Sequence, residues 1–332
     1  MTLIASDVEA FLREYLARQR DASAHTCDSY AYCFQLLFEY AADKLKVRPS
    51  ALTLAQLDVE LIGAFLEYLE SVRQNSPDTR NVRLAAIRSF FHFLEYRHPE
   101  ALEQIRRVLA IPFKKTDTRL VDYLNQQEVQ ALLDAPDPTT LYGIRDRAML
   151  HIAVYGGLRV SELTGLQMSD ICLSSMSIRI MGKGRRERSI PLWKSTTTVL
   201  RAWLSLRGLQ MVPEVFVNAR GQSMSRWGFA YVLRQHVKKA QQQCSSLSNK
   251  NVSPHVLRHT CAMITLQATQ DVRKVSLWLG HADQSTTEIY TRADPTEKLE
   301  AINAIVPPSM RKGVFRPPDK LIALLRDISY GD

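Results

Sequence analysis

The first hundred residues place apolar side chains three and four positions apart, which is the spacing of amphipathic helices. Ser6 and Glu9 form a capping-box pattern, so a first helix is expected to begin by Asp7. Three further helices are predicted over residues 24–42, 54–72 and 77–96. Four helices without a strand signal predict a small all-α domain.

The pattern changes after Pro112. Two β-prone runs within residues 176–192 flank the polar sequence GKGRRE, which is typical of a β-hairpin. Helices are predicted on both sides of it, at 125–135, 144–155, a short one within LRVSELTGL, 195–207, 225–243, 254–268, 271–279 and 284–291. The predicted fold class is mainly α with a small β-hairpin or sheet.

A basic segment separates the two patterns. From Arg106 to Arg119 the chain holds five basic residues and one acidic residue, and its periodicity breaks at Pro112. The tail ends in DKLIALLRDISYGD, an apolar stripe that predicts a helix docked on another surface, either its own domain or a neighbouring protomer. We therefore predict four regions: a helical domain at 1–112, a basic linker at 113–123, a second domain at 124–305 and a tail at 306–332.

The charge is distributed unevenly along the chain. There are 43 basic and 34 acidic residues among 332, a net charge of +9, and 30 of the basic residues are Arg. The part before Pro112 has 13 basic and 15 acidic residues (net −2), and the rest has 30 and 19 (net +11). Because Arg favours bidentate pairing with phosphate, these numbers indicate a phosphate-bearing partner bound mainly by the second domain.

Other classes of protein lack support in the sequence. No apolar run approaches the 18 or so residues of a membrane span, and no targeting pattern begins the chain, so a cytoplasmic protein is expected. The five cysteines form no CxxC pair, and Cys27 and Cys33 are expected to be buried, reduced thiols. With no nucleotide-binding loop and no acidic cluster of two-metal type, neither a cofactor nor a metal is expected.

Several polar residues carry candidate chemistry, and each also has an ordinary structural interpretation. Arg159 could pair with Glu162 on one helix face, Lys183 could be a solvated turn residue, and His281 could cap a helix after Gly280. Tyr290 could be a packed aromatic. His255 and Arg258 are stronger candidates, because a helix N-terminus after Ser253 and Pro254 already favours an anion.

Taken in order, the segments GLRVSELTGL, GKGRRERSIPL, HVLRHTCA and LGHADQSTTEIYT closely resemble the signature segments of the tyrosine recombinase (phage integrase) family. The resemblance is dense over residues 145–292 and weaker over 5–110, which is similar to that family's helical core-binding domain of SAM-like type. It implies a two-domain, C-shaped clamp around DNA. The nine-residue spacing from His281 to Tyr290 is similar to that of simple Xer-type members.

The resemblance also implies roles for the matching residues. Arg159 and Arg258 would bind the scissile phosphate, His255 and His281 would donate hydrogen bonds or relay protons, and Lys183 would protonate the leaving 5′ oxygen. Tyr290 would be the nucleophile, and Glu162 would orient the arginine and histidine. Further DNA contacts are predicted at six basic residues: Arg80, Arg83, Lys114, Lys115, Arg185 and Arg186.

The expected activity is site-specific cutting and rejoining of DNA through a 3′-phosphotyrosyl intermediate. The favoured biological role is mobility of a genetic element, because element-encoded relatives vary in the regions where this chain departs from the simple family pattern. Three alternatives stay open: Xer-like dimer resolution, relaxation by a type IB topoisomerase, and a catalytically silent DNA-binding protein. The expected partners are double-stranded DNA with inverted-repeat half-sites and other protomers, as a homotetramer or with partner recombinases, and no membrane.

Overall fold

In the computed structural model the chain divides into two compact units, Met1–Thr118 and Arg119–Asp332. The structure describes residues 3–116, 121–182, 187–208, 211–280, 287 and 289–291. Within these ranges, no helix has both the length and the apolar character that crossing a membrane requires. The predicted tail, 306–332, lies outside the described residues.

The first unit is a bundle of helices around an aromatic core. The rings of Phe11, Phe34 and Phe90 lie 5.2 to 5.8 Å apart at its centre. The helices are α1 (Ile4–Glu9), which continues as a π-helical stretch (Ala10–Gln19), α2 (Ala24–Leu45), α3 (Val59–Ser71), α4 (Pro77–Arg97) and α5 (Leu102–Leu109).

The first helix begins earlier than predicted. The backbone N–H of Ile4 donates to the carbonyl of Leu52 at 3.0 Å, which fixes the chain at that point. Ser6 lies inside α1 and its hydroxyl donates to the carbonyl of Leu3, so the predicted cap at Ser6 is wrong. The predicted start of α4 is confirmed, since the Ser76 hydroxyl accepts from the N–H of Thr79.

Two other boundaries in this unit differ from the prediction. Asp58 caps α3 by accepting from the N–H of Leu61 at 2.8 Å, so the helix predicted from residue 54 begins at Val59. Helix α5 was not predicted, although it lies within the predicted helical domain, and its last residues belong to the basic segment that begins at Arg106. It forms because Ile105 and Val108, one turn apart, are both buried in the core.

The cysteine prediction is confirmed in part. All five cysteines are free. Cys33 is buried, and burial raises the pKa of its thiol to about 12, with a smaller opposing effect of Arg83. Cys27 is only half-buried, so the expectation of full burial is wrong there.

The second unit is mainly helical with one small sheet. Its core includes Leu132, Leu150, Trp203, Phe216 and Leu257. Its elements are α6 (Gln126–Asp134), α7 (Leu141–Gly156), α8 (Val160–Thr164), β1 (Ile171–Cys172), β2 (Ser177–Met181), β3 (Glu187–Pro191), α9 (Lys194–Arg207), α10 (Arg226–Ala240), α11 (Pro254–Thr269) and α12 (Val272–Leu279).

The sheet confirms the predicted hairpin. Its three strands are antiparallel in the order β1-β2-β3, and Met181 pairs with Glu187 at the end nearest the turn. Ile178 and Ile190, which pair across the hairpin, are buried in the core. Strand β1 was not predicted, because two residues are too few to show an alternating pattern. Of the helix predicted at 284–291, residues 287 and 289–291 are described and are helical.

The predicted linker begins on the first unit. The guanidinium of Arg80 donates to the carbonyl of Pro112 at 3.0 Å, and the N–H of Lys114 donates to the amide oxygen of Asn81 at 3.0 Å. The ammonium group of Lys114 lies 2.8 Å from a carboxylate oxygen of Glu70. Residues 112–114 are therefore attached to α4 and α3.

The chain that follows the linker is attached to the second unit in a similar way. The ammonium group of Lys250 donates to the carbonyl of Tyr123 at 2.8 Å. The N–H of Leu124 donates to the hydroxyl of Thr260 at 2.9 Å. Both ends of the connection between the units are thus fixed by hydrogen bonds.

Candidate active site

Helix α11 places the HxxR sequence at its first turn. The hydroxyl of Ser253 accepts from the N–H of Val256, and Pro254 occupies the first helical position, where its missing N–H costs nothing. His255 is exposed, while Arg258, one turn later, is 6% exposed. His255 therefore lies at the surface and Arg258 in the interior, although the two were predicted to act together and belong to the same helical turn.

Arg258 connects two chain segments through its guanidinium group. One terminal nitrogen donates to the carbonyl of Gly157 and the other to the carbonyl of Leu279 at 2.8 Å. Gly157 is the left-handed residue that ends α7, and Leu279 is the last residue of α12. Burial, followed by the charge of Arg159, lowers the pKa of Arg258 to about 10, so the group is still a cation at neutral pH.

Arg159 and Glu162 form the start of α8. The N–H of Arg159 donates to one carboxylate oxygen of Glu162 at 2.9 Å, and its guanidinium donates to the other at 2.8 Å. Glu162 is buried, whereas the Arg159 side chain is 36% exposed. The ion pair that the simple interpretation predicts is present, and Arg159 still has N–H donors and exposed surface with which to bind an anion.

A second arginine, Arg188 of strand β3, also binds Glu162. Its two terminal nitrogens lie 3.1 and 2.8 Å from the two carboxylate oxygens, which is the bidentate arrangement. Burial raises the pKa of Glu162, but the hydrogen bonds from Arg188 and Arg159 outweigh it, and the net shift is downward. Glu162 is therefore ionised at neutral pH.

Tyr290 lies in the interior of this unit. Its side chain is 2% exposed and packs in a cluster with Cys261, Val275 and Leu279. The phenol oxygen lies 2.9 Å from Nδ1 of His259. Burial raises the pKa of Tyr290 to about 12, against the opposing charges of Arg258 and Arg159.

These side chains share one electrostatic environment. The charges of Arg159, Glu162, Tyr290 and Arg188 all act on the pKa of Arg258. Two guanidinium groups bind the one carboxylate of Glu162 and the guanidinium of Arg258 is a third cation nearby, so the local charge is net positive. Such a site favours an anion with several oxygens.

Several predicted residues lie outside the described residues: Lys183, Arg185, Arg186 and His281. Their chain neighbours are nevertheless placed. Met181 and Glu187 are paired on either side of 183–186, and Gly280, with φ of +64°, ends α12 directly before His281. Within the described ranges, no three His, Cys, Asp or Glu side chains gather closely enough to hold a metal ion.

The predicted DNA contacts of the first unit have different environments. Arg80 is buried and bound to Pro112, so we do not retain it among the proposed DNA contacts. Arg83 donates to the carbonyl of Ser29 at 3.2 Å. Lys114 and Lys115 are exposed, although Lys114 is paired with an acidic side chain.

Two residues of the site were missed from the sequence. His259 follows Arg258 directly, and nothing in the HVLRH segment distinguishes it from a surface residue. Arg188 had a usable signal: strand alternation puts it on the same face as the buried Ile190, whereas Glu187 and Ser189 point the other way. Because GRRER contains three arginines close together, Arg188 was not distinguished from Arg185 and Arg186.

Comparison with known proteins gives a consistent result. Residues 122–297 match the Phage integrase family, and residues 8–98 match the Phage integrase, N-terminal SAM-like domain. The integrase/recombinase y4rC of Sinorhizobium fredii (strain NBRC 101917 / NGR234) is 43% identical over 328 residues, 98% of each chain. Tyrosine recombinase XerC of Pelobacter propionicus (strain DSM 2379 / NBRC 103807 / OttBd1) is 33% identical over 312 residues, 92% of this chain and 97% of the relative.

A solved structure is similar in fold. It is the XerH site-specific recombinase bound to a palindromic difH substrate in a post-cleavage complex. The TM-score is 0.65 at 23% sequence identity, and the match covers 89% of this chain and 84% of that one. At this identity the likeness is one of fold.

Proposed function

Because the chain belongs to the phage integrase family of tyrosine recombinases, we propose that it is a site-specific recombinase with Tyr290 as its nucleophile. The enzyme cuts duplex DNA, holds the cut end as a 3′-phosphotyrosyl ester and rejoins it to a new partner. The observation that carries this proposal is that Arg159 and Arg188 both bind Glu162, and that these three residues and Tyr290 lie close enough to the buried Arg258 for their charges to act on it.

The arginines supply the charge that phosphoryl transfer requires. The scissile phosphate has one negative charge in the ground state, and its oxygens gain more as the phenol oxygen attacks. Arg159 and Arg258 would each donate to the non-bridging oxygens, and fixed donors of this kind can each contribute roughly 10² to 10³ in rate. Arg258 donates two of its five N–H groups to backbone carbonyls, so three donors remain for the phosphate.

The nucleophile must lose a proton before or during attack. With a pKa near 12, the Tyr290 phenol is neutral at physiological pH. Since its side chain is buried, DNA binding has to bring the hydroxyl and the phosphate together. His255 and His281 are proposed to donate hydrogen bonds to the phosphate or to relay the proton.

The chemical step exchanges one ester for another. The phenol oxygen of Tyr290 forms a bond to phosphorus, the bond from phosphorus to the 5′ oxygen breaks, and Lys183 is proposed to give that oxygen its proton. The phosphotyrosyl ester keeps the free energy of the broken phosphodiester. A 5′ hydroxyl from another strand can therefore reverse the step without a nucleotide cofactor.

The DNA site is proposed to contain two inverted half-sites, with one protomer bound to each. A two-fold arrangement of protomers predicts this symmetry, and the palindromic substrate of the XerH complex is consistent with it. Exchange between two such sites would use four protomers, either of this chain or with a partner recombinase. Such a reaction takes place where the cell's DNA lies, and since the relatives named above are bacterial, we propose a cytoplasmic location.

For the biological role we favour mobility of a genetic element, since the y4rC relative is named an integrase/recombinase and matches nearly the whole chain. The XerC relative supports dimer resolution as a second candidate. Deleting the gene separates the two: loss of excision or integration of flanking DNA indicates an element, and accumulation of unresolved chromosome or plasmid dimers indicates the second role.

The proposed chemistry is tested by covalent trapping. Purified full-length protein is incubated with a plasmid pool that carries a randomised duplex window, and DNA bound covalently to protein is recovered after denaturation and sequenced. We expect inverted repeats of roughly 10 bp around a short spacer, and a peptide from the adduct with the nucleotide on Tyr290. Tyr290→Phe should give no adduct, while Tyr231→Phe, at an exposed tyrosine of α10, should match the unchanged protein. Adducts at another residue, or none with any duplex, would overturn the proposal.

A further inference from the structure

Glu162 accepts four hydrogen bonds, and two of them come from Arg188. One carboxylate oxygen accepts from the guanidinium groups of Arg159 at 2.8 Å and Arg188 at 3.1 Å. The other accepts from Arg188 at 2.8 Å and from the backbone N–H of Arg159 at 2.9 Å. A carboxylate has about four acceptor positions, so this one is fully occupied.

We propose that Arg188 is a positioning residue for strand cleavage: it balances the charge of Glu162 and so leaves Arg159 available to the scissile phosphate. This inference rests on the proposed function above. It assigns a role to a side chain that does not itself contact the substrate, because the Arg188 side chain is 12% exposed and both of its terminal nitrogens are bound to Glu162.

Charge counting explains why a second arginine is needed. With Arg159 and Glu162 alone, the buried pair would be neutral, and the carboxylate would compete directly with phosphate for the Arg159 guanidinium. Arg188 adds a second cation, so the group of three carries a net charge of +1. Because Glu162 is 7% exposed and poorly screened by water, the added charge acts strongly on Arg159.

Arg188 also connects the site to two catalytic segments that flank it. It is the second residue of β3, which follows the segment containing Lys183. Its aliphatic stem lies against Gly280: a β-carbon built on Gly280 would be 2.8 Å from Cδ of Arg188. The residue after Gly280 is His281. Arg188 thus binds Glu162, belongs to the strand that follows the lysine segment and packs against Gly280, the residue before the histidine.

The test measures cleavage rates on the site recovered by covalent trapping, using full-length protein. Arg188→Ala should slow formation of the covalent adduct by about 10- to 100-fold, less than the roughly 10²- to 10³-fold loss of a donor that touches the phosphate. Arg188→Lys should recover part of the rate, since it restores the charge without the bidentate geometry. Arg201→Ala, at an exposed position of α9, is the matched control and should cleave normally.

Two further measurements separate positioning from a general structural role. In a Glu162→Gln background there is no carboxylate charge to balance, so the additional loss caused by Arg188→Ala should shrink to a few-fold. With a methylphosphonate at the scissile position the phosphate charge is absent, and the Arg188→Ala loss should shrink there as well. Site affinity and melting temperature are recorded for every variant.

The outcomes are distinct. An equal loss on both substrates and in both backgrounds would show a structural role and overturn the inference, as would no loss at all. Relief by methylphosphonate but not by Glu162→Gln would mean that Arg188 contacts the phosphate itself, which also overturns it. If the unchanged protein forms no adduct on Tyr290, the proposed function fails instead, and that result is visible before any Arg188 variant is made.

Discussion

The phenol oxygen of Tyr290 lies 2.9 Å from Nδ1 of His259, the residue that directly follows Arg258. Burial, then the charges of His255 and Arg258, lower the pKa of His259, with Asp122 acting in the opposite direction. The imidazole is therefore neutral at physiological pH. Its Nδ1 accepts the hydrogen bond from the phenol when the ring proton is on Nε2 and donates it when the proton is on Nδ1. Tyr290, the proposed nucleophile, is thus hydrogen-bonded to a residue of the same helical turn as Arg258, which is proposed to bind the phosphate.

This contact predicts a measurable coupling between the two side chains. Replacing His259 with Phe removes this hydrogen-bond partner of Tyr290, which should reduce the free energy of unfolding by about 0.5–1.5 kcal/mol beyond any packing effect. In a Tyr290→Phe background there is no hydroxyl to satisfy, so that part of the loss should vanish. Urea denaturation of the four proteins in the cycle gives the coupling energy. A coupling of zero would contradict a stabilising bond.

Leaving-group chemistry separates Lys183 from Tyr290. A 5′-bridging sulfur departs as a thiolate, which needs little protonation. Lys183→Ala should therefore cleave an ordinary phosphodiester slowly and a 5′-phosphorothiolate at nearly the normal rate. Tyr290→Phe should be inactive on both. If sulfur does not restore Lys183→Ala, the lysine is a phosphate contact or a solvated turn residue, and not the proton donor.

The buried His151 of α7 predicts a loss of stability in acid. Burial, with help from Arg147 and against Asp134, lowers the pKa of His151 to about 4, while the unfolded chain has the usual value near 6.5. Between these values the unfolded state binds a proton that the folded state does not, so stability falls as pH drops through that window. In urea denaturation at pH values from 7 to 4, the free energy of unfolding of His151→Leu should decrease less than that of the unchanged protein. His92→Ala, at an exposed histidine of α4, should leave it unchanged.

Gly280 is predicted to tolerate no side chain. Its φ of +64° lies in the left-handed region, and an added β-carbon would collide with the stem of Arg188. Gly280→Ala should lower stability by about 1–2 kcal/mol from backbone strain and should also slow cleavage by displacing Arg188. The cleavage defect should be smaller in an Arg188→Ala background, where the collision is absent. If Gly280→Ala slows cleavage equally with Arg188 and with Arg188→Ala, the defect is caused by backbone strain and not by displacement of Arg188.

Sequence periodicity predicted most helices and the hairpin, because apolar spacing directly reflects which face of an element is buried. It placed α7 and α11 to within three residues at each end. It missed α5, where two buried positions are too few to show a period. It also could not show that Arg80 turns inward to the Pro112 carbonyl, since that contact depends on how the chain after α5 returns to α4.

The candidate site was predictable in its residue types and less so in its contacts. The motif segments identified Arg159, Arg258 and Tyr290 by resemblance. The bond from Tyr290 to His259 and the double pairing of Glu162 join residues that are 31 and 26 positions apart in the chain. Such contacts are set by the packing of α8, β3 and α11, and local patterns carry no information about them.

The hydrogen bonds at the two ends of the linker leave only a short stretch of chain between them. Between Lys114, held by Asn81, and Tyr123, held by Lys250, there are nine Cα-to-Cα steps. Even fully extended, they span at most about 30–32 Å, which is less than the roughly 34–36 Å of one turn of B-DNA. The connection between the two anchor points therefore has a fixed maximum length, and each residue inserted into it would raise that maximum by about 3.3–3.6 Å.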